Sequence, residues 1–379
     1  MKIIDRLADR FAKVQPLPVG VYHKQDMQDD KPYRVHLRLM PDGSGIFILN
    51  ASTVLQLNAT AAEYAYHFIH GTELEQAVKQ IAARYRVSKD VARQDYRDFM
   101  EKIETLISTP DLDPVSFLDF ERVAPHSADL TSPLRLDCAL TYRLRADSNA
   151  EYAPVKRVDR ELTADEWRAI LDKAWQAGIP HITFTGGEAT LREDLPDLIA
   201  HAEKNGQVCG LLTDGLRLID EGYLDLLLQT GLDHILFLLQ PENDKSWLAL
   251  EKAMTADIFV TVHLTLNRDN IKNVEEVLER LAKLEMKSLS LTSSDASSSD
   301  SYDDLRDKAA ALGLTLKFDL PVPYSASNPV VYEAHENTIP EGAGKAWLYV
   351  EPDGDVLPTQ GNSEKVLGNL LRDEWTNLY

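Results

Sequence analysis

The chain has 379 residues, 44% of them hydrophobic, and a formal net charge of −21 at pH 7. That length suits two or three domains of roughly 150 residues, and the acidity argues against nucleic acid or anionic lipid as partners, because phosphate binding needs clustered Lys and Arg. No apolar run approaches the roughly 20 residues that span a bilayer, and two cysteines without a disulfide framework fit a reducing cytoplasm.

The amino terminus, MKIIDRLADRFAKV, has helical periodicity with charges throughout and is no secretory signal. YRVHLRL and IFILN read as strands around the turn PDGSG, and STVLQLN reads as a third. A helix follows in NATAAEYAYHFIHG, with Asn58 as N-cap and Gly71 as C-cap. TELEQAVKQIAARYRV sets Leu74, Val78, Ile81 and Tyr85 at helical spacing. Ser88 caps a third helix, with Val91, Tyr96, Phe99, Ile103 and Leu106 on or near one face. Residues 110–133, rich in Pro and Asp and without a sustained period, read as a linker.

From Leu134 onward strand and helix alternate. LRLDCAL, HITFTGG, VCGLLTDG, HILFLLQ, IFVTVHLTL and SLSLTSS are near-continuous apolar strands, with amphipathic helices between them. This alternation predicts a parallel sheet buried on both faces. The Ser-rich run SLTSSDASSSD reads as a connecting loop, followed by the helix SYDDLRDKAAALG and the strand LTLKFDL. Cys138 and Cys209 fall inside apolar strands, where a free Cys behaves as a small buried hydrophobe.

Three motifs carry a resemblance. LRLDCALTYRLRADSNAEY followed by HITFTGGEATLREDL resembles the radical SAM family, whose first strand ends in LTYRC and opens a CxxxCxxC frame, and which writes the second stretch FTGGEPTL. With LTYR matched at Leu140–Arg143, the three cysteine slots fall on Leu144, Ser148 and Glu151, ahead of Tyr152. Ala189 replaces the usual Pro, and Asp214 replaces the usual Asn of TNG. GAGKAWLYVEPDGDVLPTQ, then VLGN, resembles the start of a SPASM-type extension, with Thr359 at the family's cysteine. The unit Tyr33–Ser108, three strands followed by three helices with LNATAAEY, resembles the PqqD-like domain, or RiPP recognition element.

The resemblance implies an α/β fold: a partial (β/α)6 TIM-like barrel over residues 134–339, a truncated SPASM-like extension over 340–379, and a winged-helix-like α+β peptide-recognition domain over 1–109. In the family the GGE backbone holds the amino group of S-adenosylmethionine, and so the vestigial cofactor site is Thr185, Gly186, Gly187, Glu188, Asp214 and Gln240. Iron–sulfur clusters need thiolates; with the slots lost, no cluster, no metal and no cofactor are expected, although S-adenosylmethionine stays open as a ligand. The PqqD-like domain implies a peptide or leader segment added as a strand at Ser52–Leu57, touched by Ser52, Val54, Leu55, Leu57, Tyr96 and Phe99. A competing reading has those apolar groups close the small domain's core.

Polar residues expected near the strand ends are Arg143, Thr185, Glu188, Asp214, Gln240, His263 and Asn267. A lone His on an apolar strand is more often a satisfied core group than a catalyst, and no HExxH, Ser–His–Asp order or phosphate loop is visible. The expectation is a non-catalytic, cytoplasmic protein that binds a peptide and an intact radical SAM enzyme. The alternative is a barrel enzyme or S-adenosylmethionine-binding protein with non-radical chemistry.

Overall fold

The computed structural model describes residues 17–26, 33–50, 53–109, 130–145, 160–266, 272–293, 299–317, 342–362 and 365–379, with single residues 112, 117, 154, 157, 158 and 322. Ser52, Ser148, Glu151, Tyr152, Asn267 and the expected amino-terminal helix lie outside the described residues. The chain divides into two compact units, Met1–Ser127 and Ala128–Tyr379.

In the first unit β1 (Gly20–Asp26), β2 (Tyr33–Leu39), β3 (Gly45–Leu49) and β4 (Thr53–Leu57) form an antiparallel sheet in that order. Three strands were expected, and β1 is the addition. Its sequence GVYHKQD lacks an apolar stripe, and its place comes from partners. It pairs along its full length with β2, Tyr22 meets Tyr66 edge-on at 5.0 Å, and the Lys24 ammonium lies 4.6 Å from the Phe68 ring centre.

The helices are α1 (Ala59–Ile69), α2 (Leu74–Tyr85) and α3 (Lys89–Ser108). Asn58 accepts the Ala61 N–H at 2.9 Å and Ser88 the Val91 N–H at 3.2 Å, the hydrogen bonds that satisfy a helix's first free donors. Gly71, at φ +58°, ends α1 in the left-handed region where Gly pays no Cβ penalty. Alternate residues of β2–β4 (Val35, Leu37, Phe47, Leu49, Leu55, Leu57) pack on Ala62, Ala65, Phe68, Ile103 and Leu106. A smaller cluster joins α1, α2 and α3 through Tyr64, Val78, Ile81, Ala92 and Tyr96.

The second unit is α/β with a parallel-dominated sheet. β5 (Arg135–Thr141), β6 (His181–Gly186), β7 (Val208–Thr213), β8 (His234–Leu238), β9 (Phe259–Leu266), β10 (Ser288–Ser293) and β11 (Thr315–Lys317) lie side by side, all parallel. On the free side of β5, β12 (Trp347–Val350) adds in parallel, followed by antiparallel β13 (Asp355–Leu357) and β14 (Gly368–Asn369). The covering helices are α4 (Ala164–Gln176), α5 (Leu195–Asn205), α6 (Tyr223–Gln229), α7 (Asp244–Met254), α8 (Val274–Lys283) and α9 (Ser299–Ala311), with α10 (Trp375–Leu378) at the end. A capping box of Thr163 and Glu166 opens α4.

The two faces of this sheet differ in chemistry. Leu136, Cys138, Leu140, Ile182, Phe184, Cys209, Leu211, Ile235, Phe237, Val262 and Leu264 meet helix residues such as Trp167, Ile170, Leu198, Leu227 and Leu250. The alternate positions point to the opposite face, and there Asp137, Thr183, Thr185, Thr261, His263, Thr265, Ser288 and Ser290 are all buried. The sequence reads as uniformly apolar strands, yet this second face is polar and knitted by hydrogen bonds. Thr261 and Ser288 hydroxyls stand 2.9 Å apart, and the His263 ring contacts Ser290 at 3.0 Å, Thr265 at 3.1 Å and Thr292 at 3.2 Å.

Candidate functional site at the carboxyl end of the parallel strands

Strand β6 ends in Gly186 and Gly187, and the backbone there is stitched to the end of β5. Gly187 N–H donates to the Thr141 carbonyl at 2.9 Å and Glu188 N–H to the Arg143 carbonyl at 3.0 Å. Gly186 has φ +129°, and a Cβ on it would land on the Thr141 carbonyl oxygen; one on Gly187 would strike the Arg143 carbonyl and Leu144. Both positions therefore require Gly for close approach of the chain to itself.

Glu188 is 2% exposed. Its Oε1 accepts the Thr190 N–H at 3.0 Å, the Thr190 hydroxyl at 2.6 Å and the Thr213 hydroxyl at 2.8 Å, while Oε2 accepts the Asp214 N–H at 2.8 Å. Burial first, and the Asp214 charge second, push its pKa up to about 7 despite those donors. Asp214 accepts the Leu216 N–H at 2.9 Å on Oδ1 and the Arg145 Nε–H at 3.0 Å on Oδ2.

Of the expected cofactor residues, the structure gathers Gly186, Gly187, Glu188 and Asp214. Thr185 precedes them in the strand, with a buried hydroxyl that has no hydrogen-bond partner among the described residues. Gln240 is drawn into the turn before α7, where its side-chain oxygen accepts from Asn243 at 2.9 Å. Arg143 turns outward, more than half exposed, bonding Thr141 and facing Glu161 at 3.6 Å. His263 belongs to the hydroxyl cluster of β9 and β10, and burial pushes its pKa down to about 3, so it stays neutral. Sequence reasoning missed Thr190, Thr213, Arg145 and Tyr223. The Arg145 signal was a cation one position beyond the first lost cysteine slot; Tyr223, in α6, carried none.

On the first unit, Leu55 and Leu57 point into the core, and Tyr96, 4% exposed, packs among Tyr64, Val78 and Ala92. Val54 is partly buried, and Phe99, also partly buried, packs against both core clusters and lies 5.8 Å from the Tyr64 ring.

The profile of the Radical SAM superfamily matches residues 138–293. That of Coenzyme PQQ synthesis protein D (PqqD) matches residues 40–105. This chain joins a PqqD domain to a radical SAM domain. Two relatives carry the description PqqA peptide cyclase. The one from Granulibacter bethesdensis is 30% identical over 163 residues, 39% of this chain and 43% of the relative. The one from Streptomyces rochei is 28% identical over 230 residues, 53% of this chain and 62% of the relative. The matches thus span less than two thirds of either relative. Among solved structures, Streptococcus suis SuiB bound to S-adenosylmethionine matches with a TM-score of 0.58 and 14% identity, over 94% of this chain and 87% of that one. SuiB bound to precursor peptide SuiA matches with the same TM-score and identity, over 94% and 88%. At that identity the likeness shows the fold alone.

These findings correct the expectation that no cofactor belongs here: the radical SAM domain is that of a superfamily named for S-adenosylmethionine, and a fold neighbour binds it. The donor set does not fit the family's cluster in the same way. The radical SAM domain offers Leu144 in the first slot, and the chain's two cysteines, Cys138 and Cys209, are both buried within strands. Burial pushes the Cys138 thiol well up, away from thiolate. Polar groups for a small ligand are present at this end of the sheet: the adjacent Glu188 and Asp214 carboxylates, with the Arg145 guanidinium on Asp214.

Proposed function

We propose that this protein is a peptide-binding accessory of peptide modification whose radical SAM domain performs no radical chemistry. The observation that carries the reading is the position of β4, which among the described residues forms one border of the first unit's sheet, with β3 on its inner side. A border strand presents backbone donors and acceptors to which an extended peptide adds, and alternate side chains give selectivity. Val54, alternating with the core-facing Leu55 and Leu57, is the partly exposed side chain of this strand. The names of the relatives and the peptide in the SuiB complex support a peptide as the occupant.

In this reading residues 1–109 recognise the peptide in a winged-helix-like arrangement, 134–339 form a partial (β/α)6 barrel, and 340–379 are a truncated SPASM-like extension with Thr359 in the cysteine's place. The protein acts in the cytoplasm beside an intact radical SAM enzyme. Isothermal titration of the full chain with short peptides encoded beside its gene tests the recognition step. Binding that Val54→Asp abolishes supports it; absence of binding to every such peptide, or binding indifferent to Val54→Asp, overturns it. A second reading, an S-adenosylmethionine-binding protein with non-radical chemistry, is favoured by one observation: the Gly186–Gly187 turn and the Glu188 and Asp214 carboxylates meet at the carboxyl end of the parallel strands.

A further inference from the structure

At the carboxyl end of the sheet, two carboxylates share one place and the chain itself brings a cation to them. Glu188 holds the Asp214 backbone, and Asp214 holds Arg145 through Nε at 3.0 Å, with the arginine side chain 33% and the aspartate 14% exposed. Two acids so close disfavour each other's ionisation, and a guanidinium relieves that repulsion with a directed, charge-assisted hydrogen bond. Arg145 is delivered by the segment that follows β5, and the carbonyls of Thr141, the last residue of β5, and of Arg143 accept the Gly187 and Glu188 N–H groups. The cation is thus tethered within a few residues of the acids it serves.

Two further buried hydroxyls belong to the elements around this ion pair, Thr185 in β6 and Tyr223 in α6. The Tyr223 hydroxyl is buried without a hydrogen-bond partner among the described residues, while its ring lies 4.3 Å from the Arg217 guanidinium. The Thr185 hydroxyl, at the end of the strand leading into Gly186, is buried and equally unpartnered. A buried hydroxyl left unpaired is costly, so each of these groups is suited to give a hydrogen bond to, or take one from, a polar ligand.

We propose that Arg145 is an internal stand-in for the primary ammonium of an amino-acid-bearing ligand, occupying Asp214 so that such a ligand enters only when Arg145 leaves. An occupied site lowers apparent affinity by the fraction of molecules in which it is free. The inference goes beyond the peptide reading, which concerns the other unit and stands or falls separately.

The test is isothermal titration of S-adenosylmethionine into the full-length wild type, Arg145→Ala, Arg145→Gln and Arg145→Ala/Asp214→Asn. Both single variants should bind at least about tenfold more tightly than wild type, and the added Asp214→Asn should remove the gain. The thioether 5′-methylthioadenosine, which lacks the ammonium, should gain nothing. Unchanged or weaker affinity in the single variants, no binding by them at all, or an equal gain for methylthioadenosine overturns the proposal. Peptide titration of the same variants keeps the two readings apart: their peptide affinity should equal that of the wild type.

Discussion

His181 and His234 meet almost edge-on at the start of β6 and β8, ring centres 4.8 Å and Nε2 atoms 3.2 Å apart. Gly210 on the intervening strand makes this contact available, since a Cβ there would fall on the His234 ring. Burial, then the Arg135 charge, lowers His234 to about 4, and burial with the His234 charge holds His181 well below its ordinary value. One neutral ring therefore donates to the other.

Unfolded His234 takes up its proton near pH 6.5 and folded His234 only near pH 4, so stability is lost as pH falls through that window, and the lowered His181 acts in the same direction. For His234 the shift corresponds to at most ~3 kcal/mol. Urea unfolding should show His234→Gln losing less stability than wild type between pH 7 and pH 5. Parallel losses would show that the pair does not govern the acid limb.

Glu188 has the opposite sign. Its folded value, about 7, lies above its ordinary 4.5, so the folded state holds a proton that the unfolded state has released. Its contribution is complete below pH 4.5 and is lost as pH rises through 7. The stability of Glu188→Gln relative to wild type should therefore improve from pH 5 to pH 8, by up to ~3 kcal/mol. A difference constant across that range would refute the assignment.

Gly186 and Gly71 separate two uses of the left-handed backbone. Gly186→Ala drives a Cβ into the Thr141 carbonyl, whereas Gly71 has open space around it. Gly186→Ala should cost at least ~3 kcal/mol and Gly71→Ala about 1 kcal/mol, read from thermal midpoints. Equal costs would mean that the β5–β6 closure yields.

Much of this architecture was legible because burial imposes period. The strands of the second unit, the Asn58 and Ser88 caps and the GGE turn each carry a local signature that tertiary contacts reinforce. β1 escaped because GVYHKQD has no stripe of its own and depends on β2, Tyr66 and Phe68. The polar sheet face escaped because Thr, Ser and a single His inside apolar runs look incidental until β9 and β10 set them opposite one another. Arg145 and Tyr223 escaped for another reason: the acids that give them meaning lie about 70 residues along the chain from Arg145, at Asp214, and in a different turn from Tyr223.

Tyr96 and Phe99 offer a direct contrast on one helix. Tyr96 is core and Phe99 only partly buried, so Tyr96→Ala should cost roughly 2–4 kcal/mol of stability. Phe99→Ala should lower peptide affinity several-fold at a smaller stability cost. If Phe99→Ala leaves peptide affinity unchanged, the recognised surface lies elsewhere on the unit.

For the cellular role, a Glu188→Gln/Asp214→Asn double variant distinguishes accessory from enzyme. An accessory protein should complement a deletion strain with this variant, provided circular dichroism shows it folded. A folded variant that fails to complement would favour chemistry at the strand ends.

Strand β5 has one neighbour, β6, close behind it in the chain, and another, β12, that arrives very late. Tyr142 and Tyr349, hydrogen-bonded across this seam, stand 207 residues apart. At roughly 5–20 residues per second of synthesis, a nascent β5 keeps one side open for on the order of ten seconds or more. The ribosome-bound chain therefore carries a long-lived adhesive edge, and its yield in cells rests on whatever shields that edge until translation reaches the β12 hairpin.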